Sequence, residues 1–133
     1  MIYQNRYRIL FLLLFVSVLS LAQEVALTKK EQEQTIKTAL DQAVHHFENT
    51  HFDKALRASK AALIKSFEIN SNSYIAQSYN TIGVIYDECN DSKRAIEFYE
   101  KALRFARQIN NDTLNNWIYN NLACYSSVLI FLN

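Results

Sequence analysis

Proline is absent from this chain of 133 residues, and glycine occurs once, at Gly83. With so few breakers the chain suits long helices joined by short turns. A single glycine excludes a phosphate-cradling Gly-rich loop, and neither Gly-x-Ser-x-Gly nor Cys-x-x-Cys occurs, which removes the common nucleophile motifs. No catalytic residues and no cofactor are expected. Beyond residue 22 no basic run exceeds two residues. There, the fourteen Lys and Arg less Arg6 and Arg8 leave 12 against 13 Asp and Glu, a net charge of −1. Neither a nucleic acid nor an anionic membrane follows from that balance, and no small-molecule substrate is implied.

Cysteine is scarce as well, with only Cys89 and Cys124. A disulfide between them needs Cα atoms within roughly 7 Å. In the repeat register described below they stand five residues apart in height, about 7.5 Å of helix rise. Two free thiols, buried or half-buried, are expected. No cysteine follows the N-terminal apolar run to serve as a lipid attachment site. The only histidines are His45, His46 and His51. Joining His46 and His51 with Glu48 or Asp53 would make a metal site, but helical ligands normally pair at i, i+4. A packed imidazole at His46 is the better reading, and no metal is expected.

The N-terminus carries a leader. Arg6 and Arg8 precede an apolar run over Ile9–Leu19 broken only by Ser17, and Ser20-Leu21-Ala22 supplies small residues for a cleavage site. Residues 1–22 read as a signal peptide with Gln23 as the mature start, and hence as an exported, periplasmic or cell-envelope protein. The alternative is an uncleaved anchor, and Ile9–Ala22 is shorter than the ~20 residues a spanning helix needs.

What the rest of the chain has is repetition, with a period of about 40 residues. Lys54-Ala55-Leu56 returns as Arg94-Ala95-Ile96, Ala62-Leu63 as Ala102-Leu103, and Ile69-Asn70 as Ile109-Asn110. Tyr79-Asn80-Thr81-Ile82-Gly83 returns as Tyr119-Asn120-Asn121-Leu122-Ala123. A fixed period in this range marks supersecondary units that bury a core by stacking on one another. Ala95, Phe98, Tyr99, Ala102, Leu103 and Ala106 follow the helical i, i+3, i+4 template, and Ile75, Tyr79, Ile82 and Tyr86 form the facing stripe. Ser59 and Ser66 interrupt the template one period earlier. Five helices are expected, at about 29–49, 52–69, 73–89, 92–109 and 113–131. Thr28 with Glu31, and Thr50 with Asp53, give the start signals of the first two. Asn70-Ser71-Asn72 and Asn110-Asn111-Asp112 mark the turns between units.

These residues resemble the tetratricopeptide repeat family. The best unit is Ala76–Asn110, whose Tyr79, Ile82-Gly83, Tyr86, Ala95, Tyr99 and Ala102 match the family's spacing of large and small residues. Gly in a helix interior costs about 1 kcal/mol relative to Ala, so Gly83 implies a close helix crossing, expected against Ala95. The family often closes a unit with proline, absent here, and the interval from Lys54 to Arg94 exceeds its common period. The chain looks like the longer variant found in bacterial exported, sensor and signalling proteins.

The resemblance implies an all-α fold: an α-solenoid of antiparallel helix pairs with about two and a half units, near 36–70, 76–110 and 116–133, within a domain of residues 23–133. Gln42, Ala43 and His46 replace Ile82, Gly83 and Tyr86 in the first unit, as befits a cap. The third unit has one helix before Asn133, and its Val128-Leu129-Ile130-Phe131-Leu132 is too apolar for a solvent-facing cap. Either that face caps the stack, self-associates through Leu129–Leu132, or packs on a helix of a longer protein.

The resemblance also places a concave face lined by the first helix of each pair. Lys37, Asp41 and Val44 fall there in unit one, Gln77, Asn80, Thr81, Val84 and Asp87 in unit two, and Trp117, Asn120, Asn121 and Cys124 in unit three. An Asn amide can both donate to and accept from a peptide backbone, so Asn120 or Asn121 is the candidate to contact a bound protein or peptide. The implied function is a non-enzymatic protein-interaction scaffold. The other reading is the N-terminal sensory region of a membrane-bound histidine kinase or helix-turn-helix regulator.

Overall fold

The computed structural model describes residues 2–109 and 112–131. Among them every regular element is helical: α1 Ile2–Glu48, α2 Phe52–Glu68, α3 Asn72–Glu88, α4 Ser92–Ala106 closed by a 3₁₀ turn at Arg107–Ile109, and α5 Asp112–Phe131. The four helices after α1 begin and end close to the bounds read from the sequence. The first differs. No helix starts at Lys29, because α1 runs from Ile2 without interruption through a segment that holds neither glycine nor proline.

The chain divides into residues 1–32 and 33–133. In the first part Phe11, Leu12, Leu14, Phe15, Val16, Val18, Leu19 and Leu21 are exposed, and Ser17 and Ser20 return their hydroxyls to Leu14 O and Ser17 O. Among the described residues no helix is long and apolar enough to cross a membrane.

The second part is an α-solenoid of packed helix pairs. Ala76, Ala95, Tyr99, Ala102, Leu103, Ala106, Leu114 and Ile118 form its continuous core across α3, α4 and α5. Small residues on α4 let α3 approach, and aromatic rings fill the flanks. Phe67 of α2 meets Tyr79 and Phe105 edge-on, while Tyr86 stacks on Phe98 at 5.4 Å. Arg94 lies 4.3 Å over the Tyr86 ring and covers it from solvent. The serines that broke the apolar pattern, Ser59 and Ser66, are buried and satisfied internally. Each donates to the carbonyl four residues back, Ala55 at 2.9 Å and Ala62 at 2.7 Å.

Gly83 does sit at a close crossing, but its nearest neighbour is not Ala95. A Cβ added there would lie 2.6 Å from both Cδ1 and Cε1 of Tyr99, one turn further along α4. The cysteines also differ from expectation: both are free thiols, and both are exposed. Cys89 caps the C-terminus of α3, beyond its packed stripe, and Cys124 shares an outward face of α5 with Asn120. The apolar face at Leu129–Leu132 lies outside the residues whose side chains are described.

The three turns between α1 and α4 obey one rule. Thr50, Asn70 and Asn90 have positive φ, at 58°, 51° and 58°, and are evenly spaced, two to a repeat. Each is the left-handed residue that ends a helix. The amides after them, His51, Ser71 and Asp91, donate to the carbonyls of His46, Ser66 and Tyr86. The left-handed residues themselves donate to Phe47, Phe67 and Asp87. This is the Schellman motif, three times over. Thr50 therefore closes α1 instead of starting α2, whose N-cap His51 makes no side-chain cap.

Asparagine tolerates the left-handed region, whereas a β-branched residue is strained there. Thr50→Asn is accordingly expected to stabilise the protein, and Thr50→Gly to do so by about 1 kcal/mol. Thermal melts followed by circular dichroism check this, and an unchanged or lower Tm for both variants would contradict it. The α4 start is built differently. Asp91 Oδ1 accepts from Arg94 N at 3.0 Å and Oδ2 from Arg94 Nε at 2.5 Å. These hydrogen bonds hold the Asp91 carboxyl below its ordinary range.

Candidate functional site

The predicted concave-face residues come from α1, α3 and α5, and the structure gathers part of them around one cleft. Val44, Phe47 and Glu48 of α1, Asn80, Thr81, Val84 and Ile85 of α3, and Trp117 of α5 line a recess of about 230 Å³. Helical spacing explains the set. Positions 44, 47 and 48 lie on one face of α1, and 80, 81, 84 and 85 on one face of α3. Trp117 projects from the first turns of α5 and remains 53% exposed, and Val44 is 47% exposed. Large apolar groups left this open in a recess are a typical binding surface.

The floor of the cleft is polar at one point. Asn80 is fully buried. Its Oδ1 accepts from Asn121 Nδ2 at 2.9 Å, which ties α3 to α5, but its Nδ2 has no hydrogen-bond partner. The two amides therefore divide their work in a way the sequence did not reveal. One of the two N–H groups of the Asn121 amide, expected to face a peptide, goes to Asn80, whereas Asn80 Nδ2 is left without a partner. Nearby hydroxyl and amide groups are also engaged: Thr81 Oγ1 donates to Gln77 O at 3.0 Å and Gln77 Nε2 to Ser73 Oγ at 3.1 Å.

Other predicted positions lie outside the recess. Asn120 and Cys124 are exposed, with Cys124 Sγ donating to Asn120 O at 3.6 Å. Lys37 and Asp41 are exposed on α1. Asp87 has a structural task. It accepts from Tyr99 Oη of α4 at 3.4 Å and from Tyr125 Oη of α5, so one carboxylate joins three helices. Burial, then the carboxylate's hydrogen bond and charge, push the Tyr125 phenol up to about 12. Tyr99 is pushed up in the same sense, chiefly by burial.

Phe47, Glu48 and Ile85 line the cleft and were not placed on the concave face from the sequence. Phe47 and Glu48 follow from Val44 by one helical turn, which is the signal that could have found them. In the same last turn of α1, half-buried His46 lies near the rings of His45 and His51, at 6.0 and 6.2 Å. Burial, then the positive charges of Lys54 and the neighbouring groups, lowers its pKa. Among the described residues no group of three His, Cys, Asp or Glu side chains is placed to hold a metal.

Residues 76–109 match the tetratricopeptide repeat family, the same segment whose spacing of large and small residues carried the resemblance. Over 75 residues the chain is 32% identical to response regulator aspartate phosphatase H of Bacillus subtilis (strain 168). That stretch is 56% of this chain and 20% of the relative, so the chain spans about a fifth of the length of the curated relative it matches.

Proposed function

We infer, from a chain that carries a tetratricopeptide repeat at residues 76–109, that it is an exported scaffold binding a polypeptide along its concave helical face. Repeats of this family serve protein–protein interaction. The observation that carries the finer reading is the convergence of α1, α3 and α5 on one apolar cleft with an unpaired donor in its floor. Binding there proceeds by shape and hydrogen-bond complementarity, with no chemical step. Export is supported by the basic and apolar leader and by the small residues before Gln23. The name of the relative, a response regulator phosphatase, supports a signalling context. In that context the second reading has this chain as the sensory region of a longer membrane-bound regulator.

Two measurements test the main reading. Cells producing the full chain are fractionated and the product is sequenced from its N-terminus. A mature protein outside the cytoplasmic membrane that begins at Gln23 is expected; a cytosolic product beginning at Met1 sinks export. Separately, displayed random peptides are selected on the immobilised protein. Selected binders are expected to weaken about tenfold or more on Trp117→Ala, since interface aromatics carry much of the binding energy. They should be indifferent to Lys60→Glu, at an exposed position of α2. Equal binding to all three proteins would place the interaction elsewhere.

A further inference from the structure

We propose that the cleft between α1, α3 and α5 seats one large apolar side chain of the bound polypeptide. Asn80 Nδ2 donates to a backbone carbonyl at that residue, and Glu48 faces an adjacent Lys or Arg. This rests on the concave-face reading above and specifies its recognition chemistry.

Three observations converge on that occupant. The first is the unpaired donor. A buried amide N–H without a partner costs roughly 1–3 kcal/mol, and Asn80 Nδ2 bears that cost in a side chain with no solvent exposure. An acceptor entering the cleft removes the penalty, and backbone carbonyls are the acceptors every polypeptide offers. The second is size and lining. Val44, Phe47, Val84, Ile85 and Trp117 wall a space of about 230 Å³. That falls below the roughly 300–1,000 Å³ of small-molecule sites, yet exceeds the roughly 150 Å³ that accepts a benzene ring. It fits a single Phe- or Leu-sized group with part of its backbone. A second copy of this chain needs about 800 Å² of matching surface on each partner, far more than one recess supplies. The third is charge: Glu48 is the one ionisable residue in the lining, so a cation beside the apolar group is favoured and an anion is opposed.

The chain has a single tryptophan, Trp117, which gives the site one indole resonance. The test titrates the full-length, ¹⁵N-labelled protein with acetyl-Ala-Phe-Lys-Ala-amide and with its Phe→Ala and Lys→Glu forms. Saturable shifts of the Trp117 indole and the Asn80 side-chain amide are expected. The Phe→Ala peptide should bind about tenfold or more weakly, from the lost burial of a phenyl ring. The Lys→Glu peptide should bind about two- to fivefold more weakly, and Glu48→Gln, an exposed change, should erase that difference.

If the three peptides titrate alike and shift Gln77 and Trp117 while Asn80 stays still, the anchor proposal fails and the concave-face reading stands. If no peptide moves any concave-face resonance, both fail. Shifts of the same peaks on concentrating the protein alone would assign the cleft to a second copy and overturn the proposal.

Discussion

Gly83→Leu is expected to abolish the cooperative thermal transition of the helical domain. A Cβ at residue 83 falls 2.6 Å from two ring carbons of Tyr99, well inside van der Waals contact. The ring cannot swing aside cheaply, because Tyr99 is only 1% exposed and its hydroxyl reaches Asp87. Even Gly83→Ala must displace it. The gain in helix propensity, about 1 kcal/mol, is set against an overpacking cost of about 1–3 kcal/mol, so Ala lowers Tm modestly. Leucine adds three further carbons to the same crossing and separates α3 from α4, the pair that holds the core.

The paired control is Tyr99→Leu. Alone it destabilises by leaving a cavity; combined with Gly83→Ala it should cost less than the sum of the two single changes. Such coupling is expected of residues in contact. Circular dichroism melts of the four proteins decide the matter, and strict additivity would mean that the two positions do not meet.

The helices of the solenoid were legible in the sequence because their signal is periodic. Ala95, Tyr99 and Ala102 recur at helical spacing, and the pattern has a counterpart one repeat earlier, so element type, length and facing stripe follow without coordinates. The turns were half legible. Polar residues marked where α2 and α4 end, but only the backbone reveals that Thr50, Asn70 and Asn90 share one left-handed conformation. For this reason Thr50 looked like a helix start. The repeat register also misled in one respect. It aligns Asn80 with Asn120 and Gly83 with Ala123, yet Asn80 is buried while Asn120 is exposed.

Side-chain pairings lie further from reach. Asp87 carries no periodic signal that it will collect Tyr99 and Tyr125 from two other helices. Likewise the Asn121–Asn80 bond joins residues 41 apart, one step off the repeat. Its consequence, a donor stranded in the floor of an apolar cleft, depends on which face of each amide the packing leaves open. Composition and spacing cannot encode that choice. The repeat register therefore brought Val44, Asn80, Thr81, Val84 and Trp117 together at the cleft, while its hydrogen bonding emerged from individual side-chain geometry.

That geometry makes a sharp prediction at residue 80. Asn80→Asp keeps the shape and the acceptor that receives Asn121 Nδ2, and replaces the unpaired Nδ2 with a carboxylate oxygen in apolar surroundings. A buried charge left without a partner costs about 3–5 kcal/mol, so the variant should be strongly destabilised at neutral pH. The pH dependence has a definite sign. Burial disfavours the ionised form and raises the folded-state pKa of the new carboxyl above the roughly 3.9 of an unfolded chain. The deficit is then full above the folded-state pKa and shrinks as pH falls towards the unfolded value, where both states are protonated. Asn80→Leu removes the amide without adding a titrating group, so its deficit should not vary with pH in this way. Melts of both variants and the parent between about pH 5 and pH 8 separate the two. A deficit for Asn80→Asp that stays flat across that range would mean the side chain is solvated, and the stranded donor on which the cleft's recognition chemistry depends would be lost with it.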